Sequence, residues 1–142
     1  MNSINILLVE DNEGDILLAT EALEENGISS SVNVVKDGCE ALMYLEKKGK
    51  YANVSSPELI LLDINLPKLN GHEVLKNIKT SEELKHLPVI MLSTSNSKED
   101  IFNSYRLYAN CYIPKPMGEN GYSEVIASIN KFWGSVVQLP KK

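Results

Sequence analysis

No stretch of this chain reaches the roughly 18 consecutive apolar residues that a bilayer-spanning helix requires, so a membrane span is not expected. The opening Met1-Asn-Ser-Ile-Asn lacks the basic-then-apolar layout of a secretory signal, and the expected compartment is the cytoplasm. Cysteine is scarce. Cys39 and Cys111 show no metal-site spacing and read as small buried hydrophobes. Positive charge is short as well: 14 Lys and Arg stand against 19 Asp and Glu. The resulting net charge of −5 has the wrong sign for a surface dominated by nucleic acid or anionic lipid. Internal repeats and low-complexity tracts are also missing.

What remains is an ordinary globular composition, 43% hydrophobic and 23% charged over 142 residues, which suits one packed domain. The expected domain spans 1–142, with a core of about 4–134 and a short C-terminal tail. Short apolar runs alternate with amphipathic stretches along it. Ile4–Val9, Val32–Val35, Leu59–Leu62 and Val89–Leu92 read as buried strands, with Cys111–Ile113 a shorter fifth. Continuous Val/Ile/Leu runs mark strands covered on both faces, as in a parallel sheet flanked by helices.

Helical patterns fill the gaps. Asp15–Asn26 stops before Gly27, and Glu40–Lys48 before Gly49, glycine being a natural helix stop. His72–Lys79 follows Gly71, and Ser123–Trp133 precedes Gly134. Lys98–Tyr108 follows Ser97, with Asp100 as its capping-box partner. Lys50–Pro57, the longest irregular stretch, belongs at the end of the sheet away from any site. Five βα alternations imply right-handed crossovers and a doubly wound α/β fold with helices on both faces. Ligands of such sheets bind beyond the carboxyl ends of the strands.

The residues just past those ends are polar. They are Glu10 and Asp11 after strand one, Asp63 and Asn65 after strand three, Ser93-Thr94-Ser95 after strand four, and Lys115-Pro116 after strand five. Carboxylates gathered at one sheet edge repel each other unless a cation lies among them. Oxygen ligands without His or Cys favour a hard ion, Mg²⁺ foremost. Lys115 brings a point charge suited to a phosphate oxygen, and Ser93 a hydroxyl donor. A carboxylate can attack phosphorus to form an acyl phosphate, and such transfer depends on positioning and charge more than on a catalytic His. Asp63 follows four apolar residues, and a carboxylate at a buried strand end needs a partner.

The set L-L-V-E-D, L-L-D-I-N-L-P, G-H-E-V-L, V-I-M-L-S-T and Y-I-P-K-P resembles the response-regulator receiver family over nearly the whole chain. The resemblance implies a flavodoxin-like sheet in the order 2-1-3-4-5, with the fifth strand at an edge. It makes Asp63 the phosphoacceptor, and Asp11, Glu10 (through water) and the Asn65 backbone carbonyl the Mg²⁺ ligands. It makes Ser93 the switch hydroxyl, Lys115 the phosphate-contacting lysine and Tyr112 the switch aromatic, with a cis peptide between Lys115 and Pro116. A phosphohistidine on a histidine kinase or phosphotransfer protein would be the donor. The chain would be a signalling phosphoacceptor and not a conventional enzyme. Glu10-Asp11-Asn12, the long loop before strand three, Ala109–Tyr112 and Phe132-Trp133 are further similar to small single-domain regulators of phytochrome-type histidine kinases. Members of that group dimerise, here through the face of Lys98–Tyr108, Cys111–Ile113 and Ser123–Trp133.

Three positions depart from the family pattern. Glu10 replaces the commoner Asp, and its extra methylene is expected to carry the carboxylate outward. Ser93 lacks the methyl of the more frequent Thr. Pro114 has no N–H and suits only an outward-facing position on an edge strand.

Plainer readings exist. Asp11 or Asn12 would serve as a cap for the first helix, Tyr112 as half-buried packing, one of Phe132 and Trp133 as core, and His72 and His86 as solvated surface. A Mg²⁺-dependent phosphatase-like hydrolase is one rival function, but its general acid would stand at Asn65, which cannot protonate a leaving group. A flavin-binding protein would need a Gly/Ser/Thr-rich phosphate loop after strand one, where this chain has acid. A pseudo-receiver that only binds partners would not need the full polar set.

Overall fold

The structure, a computed structural model, describes residues 4–25, 31–116 and 119–140, with the backbone alone at 119 and 120. Five strands form one parallel sheet in the order β2-β1-β3-β4-β5. They are β1 Ile6–Val9, β2 Val32–Val35, β3 Leu59–Leu62, β4 Val89–Ser93 and β5 Cys111–Pro114. The three inner strands β1, β3 and β4 are buried along their whole length, which is why their sequences run apolar without alternation.

Alternate side chains of those strands feed two cores. Leu7, Val9, Ile60, Leu62, Val89 and Met91 face one side, where Val74, Leu75 and Ile78 of α3 (Gly71–Thr80) and Ala41 and Leu45 of α2 (Gly38–Leu45) cover them. Ile6, Leu8, Leu59, Leu61, Ile90 and Leu92 face the other. There Ala19, Ala22 and Leu23 of α1 (Glu13–Glu25) meet Tyr122, Ile126 and Ile129 of α5 (Glu119–Lys131). α4 (Lys98–Arg106) is the loosest helix, with Ser104 its one fully buried residue.

Helix starts are set by caps. Asn12 Oδ1 accepts from Asp15 N at 2.9 Å, Asp37 Oδ1 from Glu40 N at 2.7 Å and Ser97 Oγ from Asp100 N at 3.0 Å. Each satisfies a first-turn N–H that has no helical partner. Asn12 is thus the cap of α1, and Asp11 is left for other contacts. The Ser97–Asp100 box is half made, because the Asp100 carboxylate instead accepts from the Ser95 hydroxyl at 2.6 Å. A full box stands at Asn70–Glu73. Tyr108, with φ of 72°, lies outside α4, which ends at Arg106. After α5 the chain continues into a π-helical turn, Phe132–Val136. The expected stop at Gly27 lies outside the described residues.

Other expectations fare unevenly. Pro114 is exposed on edge strand β5, as its missing N–H requires. Residues 54–57 lie near Asn5, at the amino end of the sheet, whereas Lys50 and Tyr51 turn back to Glu40 in the first turn of α2. Cys39 is exposed and Cys111 only half-buried, so the reading of both as buried is corrected: Cys39 sits on the outer side of the first turn of α2. His86 is exposed, but His72 is half-buried, with Nε2 2.9 Å from the Ser104 hydroxyl. Trp133 packs on the α1/α5 core and Phe132 is half-exposed beside it, the rings 5.5 Å apart edge to face.

Candidate functional site

Beyond the carboxyl ends of β1, β3 and β5, one ammonium is surrounded by acids. Lys115 Nζ lies 2.6 Å from Glu10 Oε1, 2.8 Å from Asp15 Oδ2 and 3.1 Å from Asp63 Oδ2. Its side chain is 4% exposed. The three ammonium hydrogens therefore match three carboxylates. Parallel pairing places these residues level with one another: Glu10 N donates to Val35 O, Asp63 N to Val9 O and Lys115 N to Ser93 O.

Glu10 is buried, so the outward displacement expected of its extra methylene does not occur. The longer side chain curls back, and Oε2 accepts from the backbone N–H groups of Asp11 at 3.1 Å and Asn12 at 3.2 Å. Burial drives its carboxyl from 4.5 up to about 7, with Lys115 opposing and the Asp63 charge reinforcing the rise. Burial also disfavours the Lys115 ammonium, but the hydrogen bonds it donates to Asp15 and Glu10 outweigh this and hold the lysine above its ordinary range.

Asp63 is 5% exposed, and its Oδ1 accepts from Ile64 N at 2.8 Å. Its main chain is hemmed in by Gly71, the first residue of α3, which donates its N–H to Ile64 O at 2.7 Å. A Cβ at position 71 would fall 2.0 Å from the Asp63 carbonyl oxygen. Asp11 is exposed, and an oxygen each from Glu10, Asp11 and Asp63 lie within 4.8 Å of one another. Three hard oxygen donors at that spacing fit a small divalent cation, in number and in chemistry.

Ser93 is fully buried at the end of β4, and its hydroxyl accepts from Ser95 N at 3.3 Å. Tyr112 is half-buried and donates its hydroxyl to Ser95 O at 2.6 Å. Both switch candidates thus meet at Ser95. The Asn65 side chain is exposed. The cis peptide expected at Lys115–Pro116 is corrected: no peptide bond among the described residues is cis. The trans form is the lower-energy one even before proline, and Lys115 reaches all three acids from it.

Sequence reasoning missed Asp15. In the chain it reads as an ordinary first-turn acid of α1, favoured there by the helix dipole. Tyr122 of α5 was missed too. Its hydroxyl is buried beside Asp15 and meets no partner in good hydrogen-bond geometry among the described residues. Burial first, and then the Asp15 charge, raise its pKa.

A flavodoxin-like sheet in the order 2-1-3-4-5 with acids and one lysine at its carboxyl edge defines a receiver-type α/β domain. The response regulator receiver domain model matches residues 6–127, and the chain belongs to that family. Response regulator Rcp1 of Synechocystis sp. is 41% identical over 135 residues, covering 95% of this chain and 92% of that protein. The crystal structure of the phosphorylated cyanobacterial phytochrome response regulator RcpA matches with a TM-score of 0.94 at 47% identity, covering 99% of this chain and 100% of that one. The Mn²⁺-bound form of Rcp1 matches with a TM-score of 0.91 at 40% identity, over 97% and 99% of the two chains. No helix among the described residues is long and apolar enough to cross a membrane.

Proposed function

We propose that the chain is a response regulator that receives a phosphoryl group on Asp63 from a phosphohistidine of a phytochrome-type histidine kinase or its phosphotransfer partner. The observation that carries this reading is the 3.1 Å contact of Lys115 Nζ with Asp63 Oδ2, beside oxygens of Glu10, Asp11 and Asp63 within 4.8 Å. The near-full-length likeness to Rcp1 and RcpA supports the kind of kinase.

In this reaction an Asp63 carboxylate oxygen attacks phosphorus. A P–O bond forms as the P–N bond breaks, and the bonding pair returns to the imidazole nitrogen of the donor. Lys115 sets its ammonium against a phosphoryl oxygen and neutralises charge there. Glu10, Asp11, Asp63 and the Asn65 carbonyl would hold Mg²⁺, which supplies further neutralisation of the phosphoryl oxygens when bound. Burial of Asp63 and Ser93 limits the water that reaches the product. Ser93 donates its hydroxyl to the new dianion, and this changes what it offers Ser95. Tyr112, tied to Ser95 O, transmits that change to α4 and β5, in a two-state population shift.

The output is protein contact in the cytoplasm. Phe102, Tyr105 and Tyr108 project from α4 and the turn after it, 67%, 49% and 75% exposed. Together with β5 and α5 they form the face through which two copies pair. Incubation with Mg²⁺ and an acyl-phosphate donor, read by phosphate-affinity electrophoresis, tests the assignment. Wild type shifts, and Asp63→Asn does not; a shifted Asp63→Asn protein overturns it.

A further inference from the structure

We infer that Asp15 is a positioning residue for phosphoryl transfer, the anion that keeps the Lys115 ammonium in the site while the other two acids engage a cation. The inference rests on the reading of Asp63 as phosphoacceptor. Lys115 has three hydrogens and spends them on Glu10, Asp15 and Asp63. Two of those acids, Glu10 and Asp63, also belong to the oxygen cluster suited to a divalent ion. A lysine held by those two alone would compete with the ion for the same oxygens and be repelled by its charge.

Asp15 stands outside that cluster. It comes from α1, the other partners from just beyond β1 and β3, and its 2.8 Å contact with Nζ is shorter than that of Asp63. Its side chain is 26% exposed against 5% and 6% for Glu10 and Asp63, so it carries its charge at smaller desolvation cost. It touches neither substrate nor the reacting oxygen and acts through Lys115.

The bland alternative is that Asp15 merely favours the start of α1 as a first-turn acid. Glu13 provides the control, because it shares that turn and pairs instead with Lys36 at the surface, 2.5 Å away. We would compare wild type, Asp15→Asn, Asp15→Glu and Glu13→Gln by two readouts. The first is the rate of Asp63 phosphorylation by acetyl phosphate at saturating Mg²⁺. The second, in metal-free protein, is the rate at which an amine-reactive reagent labels Lys115, followed by mass spectrometry.

Asp15→Asn is expected to slow phosphorylation about tenfold, the loss of one charge-assisted hydrogen bond, and to speed Lys115 labelling. Asp15→Glu recovers most of both, and Glu13→Gln changes neither. Wild-type rates and labelling in Asp15→Asn, or equal slowing in Glu13→Gln, overturn the inference and leave the phosphoacceptor standing. Should wild type itself take no phosphoryl group on Asp63, the underlying reading fails instead. If Asp15→Asn does not fold, Asp15→Ser takes its place, and wild-type phosphorylation and labelling in that variant overturn the inference.

Discussion

Gly71 holds α3 against the main chain of Asp63 so closely that a Cβ at 71 would stand 2.0 Å from the Asp63 carbonyl oxygen and 2.7 Å from Ile64 Cα. Both obstacles are backbone, so no side-chain rotation relieves them. Gly71→Ala is therefore expected to push α3 and the Asp63 loop apart, at a cost of about 1–3 kcal/mol. Urea denaturation measures the loss, and slowed phosphorylation of the folded fraction accompanies it. A variant as stable as wild type would show that the loop yields freely.

Mg²⁺ should stabilise the protein through the oxygens of Glu10, Asp11 and Asp63. At about a hundred times its dissociation constant a ligand specific to the folded state adds about 2.7 kcal/mol. The expected rise in Tm is reversed by chelator and much reduced in Asp11→Asn, which keeps the shape of the side chain but loses its charge. Equal rises in both proteins would place the ion elsewhere.

Much of this arrangement was legible in the chain. Leu59–Leu62 and Val32–Val35 form strands at the boundaries read from their apolar runs, and Glu10, Asp63 and Lys115 meet because each follows a strand of one parallel sheet. The starts of α1, α2 and α3 lay one or two residues earlier than periodicity suggested, since Asn12, Asp37 and Asn70 cap them with side chains that no hydrophobic pattern records. Asp15 was illegible for a different reason: its partner lies 100 positions away in sequence, and amphipathic helices carry many first-turn acids. The inward curl of Glu10 depends on free N–H groups at Asp11 and Asn12, a local geometry that appears only once the turn into α1 is built.

Tyr51 gives a pH-dependent prediction away from the site. Its ring stacks near Tyr44, the centroids 5.1 Å apart, and its hydroxyl donates to the Glu40 carboxylate. Burial and then Glu40 raise its pKa from 10.0 to about 12. The folded state thus keeps a proton that the unfolded chain gives up, so this stabilisation is full below pH 10 and is lost as pH rises towards 12. Phenolate absorbance, taken as the difference between wild type and Tyr51→Phe, should show the late titration. Glu40→Gln brings it part of the way back, because burial remains.

Tyr122→Phe is expected to raise stability, by about 1 kcal/mol, since it deletes a buried hydroxyl that has no partner in good hydrogen-bond geometry among the described residues. Thermal unfolding of the two proteins decides this. A loss of similar size would mean that the hydroxyl is satisfied by Asp15 in solution.

The most direct test is chemical mapping of the phosphorylated residue. After reaction with a phosphohistidine donor and Mg²⁺, borohydride reduction converts an aspartyl phosphate to homoserine, and peptide mass spectrometry locates it. Homoserine at position 63 is the expected result. Homoserine at 11 or 15, or none at all in protein that has demonstrably taken up phosphate, would contradict it.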